Sequence, residues 1–195
     1  MKNLKNYLWL IITLAALILF VALPLPQASL ILRIGYEEPG EGATVLYYAT
    51  DFSPALSDEQ KVTGIISPEE HCITFRLEGS VVRHLTALRL DFPHAEQLIV
   101  LKDVRASSRG TIRKTWLACD FFGEERCRDL HNVHIDRVPA QDEAVFSTTA
   151  DDPYLFLSEA TLSELQKCVS SGRGTRLFVA LLVLAGVLIA KYHNR

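Results

Sequence analysis

The stretch LTALRLDFPHAEQLIVLKDVRA, residues 85–106, constrains the fold of this chain more than any other. Leu88, Leu90 and Phe92 alternate with Arg89 and Asp91, so apolar and charged side chains leave the backbone on opposite sides. After the polar turn Pro93-His94-Ala95-Glu96-Gln97 the alternation resumes. Leu98, Val100, Lys102 and Val104 are set against Ile99, Leu101 and Asp103. A period of two bounded by turn residues predicts two half-buried antiparallel strands.

Similar runs surround this pair. Residues 28–36, 43–50, 62–66, 72–78, 111–117 and 144–148 are rich in Val, Ile, Leu, Thr and aromatic residues. Glu38-Pro39-Gly40-Glu41-Gly42, Ser53-Pro54, Ser67-Pro68 and residues 107–110 separate them. Many short strands at regular spacing predict an antiparallel β-sandwich rather than a βα repeat. One helix is expected near the end of the series. Thr161-Leu162-Ser163-Glu164 fits a capping box, Leu162, Leu165 and Val169 follow at helical spacing, and Gly172 and Gly174 supply a stop. Its apolar stripe suits two settings equally, a membrane interface or one end of the sandwich.

The two ends of the chain differ in kind from its middle. Residues 8–23, LWLIITLAALILFVAL, are interrupted only by Thr13 and come close to the roughly 20 residues that span a bilayer. Lys2 and Lys5 precede them, which keeps Met1 on the cytoplasmic side. A cleaved signal peptide is the competing reading, but Leu25 and Pro26 crowd the small-residue site before Ala28. Residues 177–190 form a second apolar run. It covers about 21 Å of a hydrocarbon core of about 30 Å, and Arg176, Lys191 and Tyr192 can extend it by snorkelling. The alternative is a core helix, yet a helix apolar on every face needs more surround than a small domain provides. The expected organisation is therefore a cytoplasmic start and anchor over 1–26 and an extracytoplasmic β-sandwich over 27–160. A juxtamembrane helix and linker fill 161–175, and a second transmembrane helix with a cytoplasmic tail occupies 176–195. Residues 27–175 hold 15 Lys and Arg against 23 Asp and Glu, a formal charge of −8. That balance argues against a nucleic-acid partner, which needs a basic face.

All four cysteines fall in the part assigned to the oxidising compartment. Cys119 and Cys127 flank Asp-Phe-Phe-Gly-Glu-Glu-Arg, a loop that a disulfide would close. The rival, a zinc site with His131 and His134, has ligand spacing unlike the usual pattern, so no metal is expected. Cys72 reads as a small buried hydrophobe in a strand. Catalytic motifs are lacking: there is no G-x-S-x-G, no H-E-x-x-H and no glycine-rich phosphate loop. Glu69-Glu70-His71 and Asp151-Asp152 offer carboxylates for glycoside hydrolysis but read more readily as solvated turns. No cofactor is expected. Tyr47, Tyr48, Phe52, Trp116, Phe121 and Phe122 supply the aromatic surface a sugar would stack on, with Tyr47, Tyr48, Trp116 and Phe121 as the glycan-binding candidates. The same residues read more readily as core and rim aromatics.

Three segments carry a resemblance: VLYYATDFSPALSDEQKVTGII, then LTALRLDFPHAEQLIVLKDVRA, then DDPYLFLS. Together, over residues 45–157, they resemble an extracytoplasmic β-sandwich that accompanies polytopic membrane glycosyltransferases and other bacterial envelope-polysaccharide proteins. Leu88-Arg89-Leu90-Asp91 and residues 99–105 match its paired strands, and Asp152-Pro153-Tyr154 its late element before the return to the membrane. The resemblance implies a jelly-roll-like module with carbohydrate-binding character and no placed catalytic residue. This chain departs from that pattern in having two membrane segments, no polytopic part, and an added loop between Cys119 and Cys127. The resulting expectation is a non-enzymatic accessory protein in the bacterial cytoplasmic membrane. It would bind surface glycan, or a polytopic glycosyltransferase or exporter, during polysaccharide synthesis, modification or export. Small residues Ala180, Ala185 and Gly186 are the expected contact with a membrane partner. An envelope glycan hydrolase and a scaffold that binds no sugar are the alternatives.

Overall fold

The computed structural model describes residues 13, 14, 16, 28–38, 42–93, 96–138, 142–149, 151–169 and 179–185. The chain divides into two units: Gln27–Ser170, and the ends Met1–Pro26 and Ser171–Arg195 taken together. In the unit of the ends, residues 179–185 are helical, with Ala180 buried and Val179, Leu181, Leu182, Val183 and Ala185 exposed. Gly186, Gly172, Gly174 and most of the first apolar run lie outside the described residues. Among the described residues no helix is long and apolar enough to cross a membrane.

The larger unit is mostly β, and every pairing in it is antiparallel. Its strands in chain order are β1 (Leu30–Glu38), β2 (Val45–Thr50), β3 (Lys61–Thr63), β4 (Ile65–Ser67), β5 (Cys72–Leu77) and β6 (Leu85–Asp91). They continue with β7 (Gln97–Ser108), β8 (Thr111–Leu117), β9 (Cys127–His131), β10 (Val133–Val138), β11 (Glu143–Thr148) and β12 (Tyr154–Leu157). One sheet runs β10-β11-β7-β1-β5-β4, with β8 also paired to β7; the other runs β3-β2-β6-β12-β9. Inward residues of both sheets, among them Leu32, Phe75, Ile99 and Phe146 from the first and Leu46, Leu88, Leu90 and Leu155 from the second, share one core. This is the arrangement expected of a sandwich.

The alternation in β6 is as read, with Leu88, Leu90 and the following Phe92 buried and Arg89 and Asp91 turned outward. In β7 it changes phase. Ile99 and Leu101 are buried, but so are Val104 and Ala106, so Val104 does not share a face with exposed Leu98 and Lys102. The cause lies next door: β1 shifts register against β7 between Gly35 and Tyr36 and again between Tyr36 and Glu38. A bulge adds a residue to one strand and carries the following side chains to the other face.

Three short helices close the sandwich: α1 (Gly79–Arg83), α2 (Ala118–Phe121) and α3 (Glu159–Val169). α2 drives Phe121 and Phe122 into the core. An edge-to-face series of rings follows, Trp116–Phe121 at 5.1 Å, Phe121–Phe122 at 5.0 Å and Phe122–Phe146 at 4.8 Å. Each fully buried ring contributes about 1.5–3 kcal/mol by removal from water. α3 buries Leu162, Leu165 and Val169 against the same core, so its stripe closes the sandwich rather than facing outward.

The capping box predicted at Thr161 is displaced. Ser158 caps α3, its Oγ accepting from Thr161 N at 3.4 Å and its carbonyl from Leu162 N at 3.0 Å. Thr161 is buried and donates to the Arg126 carbonyl at 3.1 Å. The helix thus begins one turn earlier than its sequence signature suggested, which frees Glu164 for another role.

The predicted disulfide is absent: Cys72, Cys119, Cys127 and Cys168 are all free. Cys119 and Cys127 are both buried, and Cys127 Sγ lies 3.9 Å from the Phe121 carbonyl O, which it addresses as a weak donor. The loop between them is closed by other means. Phe122 N donates to Ala118 O at 2.9 Å, Arg126 N and Cys127 N donate to Gly123 O at 2.9 and 3.0 Å, and two phenylalanines anchor it in the core. Burial pushes the Cys119 and Cys168 thiols above their ordinary pKa, which keeps them protonated and unreactive.

Candidate functional site

The strand order of the second sheet brings together side chains far apart in sequence. Register places Lys61 beside Tyr47, Tyr47 beside Arg89, Arg89 beside Phe156, and Phe156 beside Arg128. One step along, Val45 pairs with Asp91, Asp91 with Tyr154, and Tyr154 with His131. All these residues belong to the outward half of a period-two pattern, so the two rows cover the outer face of the sheet.

Arg89 is the centre of this face. Its guanidinium lies 4.8 Å from the Tyr47 ring centroid and 4.6 Å from that of Tyr154, covering one face of each. Nε and one terminal nitrogen donate to the two Asp91 carboxylate oxygens, both at 2.7 Å. A bidentate pair of this kind fixes the plane of the guanidinium, and the planar cation then fits between two rings. Its side chain is 21% exposed and that of Asp91 14%, so the pair is partly withdrawn from water.

The series continues on both sides. Tyr154 stacks on His131 at 4.9 Å and meets Phe156 edge-on at 5.8 Å, and Arg128 lies 6.0 Å from the Phe156 centroid. Lys61 Nζ sits 5.7 Å from the Tyr47 ring, and the Tyr47 hydroxyl donates to Asp58 at 3.3 Å. The Lys61 ammonium, 2.7 Å from Asp58, draws that carboxyl below its ordinary pKa and is itself raised by the contact.

Cations and the imidazole already occupy ring faces in this series. Around the stacked rings the polar groups are the Tyr47 hydroxyl, already donating to Asp58, the exposed His131, and the Arg89 guanidinium beside Asp91. Side chains of these types can hydrogen-bond hydroxyl and carboxylate groups, while the occupied ring faces leave little room for open-face stacking.

Of the predicted aromatic residues, only Tyr47 joins this face. Tyr48 is half-buried and packs against the core. Trp116 and Phe121 are 6% and 1% exposed, so neither offers a ring face to a sugar. Trp116 instead donates from Nε1 to Glu164 at 3.1 Å. Arg89, Asp91, Tyr154, Phe156 and His131 were missed as site residues. Leu90 and Leu155 drew attention to burial, whereas the useful signal was Arg89 and Asp91 on one strand facing Tyr154 and Phe156 on another.

The remaining candidates are dispersed. Glu70 pairs with Arg33 at 3.3 Å beside a shallow groove of about 360 Å³ that also touches His71, Lys102, Asp103 and Arg105 on the outer face of the first sheet. Its charges are paired, Arg105 with Asp103 at 2.6 Å and Lys102 with Glu37, outside the groove, at 3.2 Å. The carbonyl of Asp151 accepts from Asn132 and helps fix the turn before β12. His131 stacks on Tyr154 and His134 bonds Asp136 at 3.1 Å, and no group of metal-ligating side chains is found among the described residues.

One further feature concerns the ends of this unit. A Cβ on Gly79, at the start of α1, would overlap the Ala28 carbonyl oxygen and come within 3.0 Å of Val169 Cγ1. The first and last described residues of the domain therefore meet at one glycine. No family model, no curated protein and no solved structure matches the chain.

Proposed function

We propose that this chain is a non-enzymatic accessory protein of bacterial envelope polysaccharide synthesis, modification or export. Residues 8–23 and 177–190 hold it in the cytoplasmic membrane, with both termini inside and the two-sheet domain outside. The sandwich is jelly-roll-like and belongs with the modules that accompany polytopic glycosyltransferases. The observation that carries this reading is the meeting of Ala28 and Val169 at Gly79. A domain entered and left at one pole suits a chain whose two apolar runs flank it, since both then start from the same place. The face centred on Arg89 supports the second half of the proposal, because its hydroxyls, guanidinium and carboxylate match a polyhydroxylated, partly acidic glycan.

Ala180, Ala185 and Gly186 are the small residues through which the second run would pack on a polytopic glycosyltransferase or exporter. The test uses the full chain in nanodiscs. Oligosaccharides released from envelope polysaccharide are expected to bind, and Arg89→Ala with Tyr154→Ala to abolish binding while the protein stays folded. Absence of binding by the parent chain sinks the glycan reading. Labelling of a tag at Met1 or Arg195 from outside intact cells sinks the two-span topology.

A further inference from the structure

The pole where the domain is entered and left has a charge unlike the rest of the molecule. Several elements end there. Leu30 pairs with both Leu77 and Ser108, Thr50 pairs with Leu85, and Gln166 Nε2 donates to the Leu85 carbonyl at 3.0 Å. The start of β1, the end of β2, α1, the tip of the β7–β8 hairpin and the last turn of α3 therefore share one end of the sandwich.

Residues 28–31, 49–53, 76–85, 107–113 and 165–169 make up this end. They carry Arg76, Arg83, Arg109, Arg113 and Lys167 against Asp51 and Glu78, and the β2–β3 loop at the same end adds Asp58 and Glu59. Three of these carboxylates have partners: Asp51 with His84 at 3.3 Å, Asp58 with Lys61 at 2.7 Å, and Glu78 as acceptor of the Ser80 hydroxyl at 3.4 Å. The opposite end, residues 36–38, 65–72, 90–93, 96–102 and 151–154, reverses the balance. It carries the doublets Glu37-Glu38, Glu69-Glu70 and Asp151-Asp152 with Asp91 and Glu96, against one lysine, Lys102. A domain that is acidic overall thus carries a small excess of positive charge at one pole, concentrated on α1 and the β7–β8 hairpin.

The basic pole also shows apolar side chains to solvent. Phe52 is 79% exposed, with its ring 4.7 Å from His84, and Ile112 is 59% exposed. The hairpin tip stands clear of its surroundings: Arg109 and Gly110 both have positive φ, at 55° and 72°, and a Cβ on Gly110 would meet nothing within 4 Å. Arginines beside an exposed phenylalanine and isoleucine fit one partner chemistry, an anionic lipid surface, where cations meet headgroups and the ring enters the interfacial layer.

We infer that this pole rests on the bilayer and binds anionic lipid headgroups through Arg83, Arg109 and Arg113, with Phe52 and Ile112 inserted between them. This rests on the two-span reading above. Ala28 and Val169, the described residues of the domain nearest to the two runs in sequence, both lie at this end, so on that reading the anchored chain would hold the pole at the membrane. The acidic pole is then repelled from the same surface, and the two effects orient the domain in the same sense.

Hydrogen–deuterium exchange of the full chain is the test, in nanodiscs of phosphatidylcholine with and without phosphatidylglycerol. Amides of residues 107–113 and 49–53 are expected to exchange roughly tenfold more slowly when the anionic lipid is present, the binding weakening severalfold for each arginine removed. Arg109→Glu with Arg113→Glu should abolish the slowing, and Phe52→Ser should reduce it, while exchange in residues 97–101 stays at the parent rate as a check on folding. Equal exchange in both lipids, with residues 8–23 and 177–190 protected, overturns the pole contact and leaves the topology standing. Free exchange of those two runs in every disc overturns both.

Discussion

Two charged residues each gather several partners in this protein, and they do so in opposite surroundings. Glu164, on α3, accepts from Lys114 Nζ at 2.8 Å, Trp116 Nε1 at 3.1 Å and Arg126 at 2.9 Å. Arg89, on β6, holds Asp91 and covers Tyr47 and Tyr154. The partners of Glu164 come from β8 and from the loop before β9, elements that no backbone ladder joins to α3. Those of Arg89 sit on strands already paired to its own or, in the case of Asp91, on the same strand. Removing Glu164 therefore loosens a helix held otherwise by its core residues and by bonds to the Arg126 and Leu85 carbonyls, whereas removing Arg89 strips a surface whose framework stays paired. The first cluster serves stability and the second is free to serve recognition.

The sharpest way to break this contrast is Glu164→Ala. Three donors lose their acceptor, and Lys114 is left near Arg126 with no carboxylate between them. We expect a loss of about 2–3 kcal/mol, read as a lower urea midpoint for the full chain in mild detergent. A loss no larger than that of Arg89→Ala would remove the distinction.

A pH series sharpens the same point. Hydrogen bonds from Arg126 and Lys114 lower the Glu164 carboxyl from 4.5 to about 2. A carboxylate with a depressed folded pKa adds stability that is fully present above its unfolded value and fades as pH falls toward the folded one. Stability should therefore decline between about pH 4.5 and 2 on this account, by an amount on the order of 2 kcal/mol after allowing for the 27% exposure of the side chain. Glu164→Gln should flatten that part of the curve. An unchanged slope in the variant would assign the acid sensitivity to other carboxylates.

Arg89→Ala should lower stability by less, about 1 kcal/mol, since its two ring contacts and its half-buried pair with a residue of the same strand are each worth a fraction of that. A double-mutant cycle with Tyr154→Ala should give a coupling of about 0.5–1 kcal/mol. Coupling near zero would mean that the guanidinium is held by Asp91 alone.

Sequence periodicity made the strands legible where one face is apolar. β8 begins and ends where it was read, and β1, β2, β5 and β6 differ only at their first or last residues. It was silent for β9 and β10: CRDLH carries charges along a mostly exposed strand, VHIDRV turns only Val133 and Ile135 partly toward the core among its described side chains, and Asp129 and Asn132 adopt left-handed backbone. β12 escaped because four residues are too few to show a period. The Arg89 face was hidden for a further reason: it depends on β12 lying between β6 and β9, a spatial order that the chain order does not contain. Glu164 was visible but misassigned, since a glutamate three residues after a threonine looks the same whether it caps a helix or reaches across to a sheet.

The smallest expected effect is that of a reductant. Four free thiols mean that dithiothreitol should leave thermal unfolding unchanged, and alkylation after denaturation without reductant should modify all four cysteines. A stabilising bridge would instead have added a few kcal/mol.

Gly79 has a topological consequence. Because Ala28 and Val169 meet there, the domain is nearly a closed ring of elements with its break at one point. A linker of a few residues would join those ends, and a new break at Gly110, where nothing crowds the backbone, would give a circular permutant with the same strand pairings. Such a permutant would carry its former ends as an internal turn, so the sandwich would no longer hang between two flanking segments yet would keep its core. Any side chain at position 79 would force the ring open at its existing seam, because the clash is with backbone at Ala28 rather than with a side chain that can turn away.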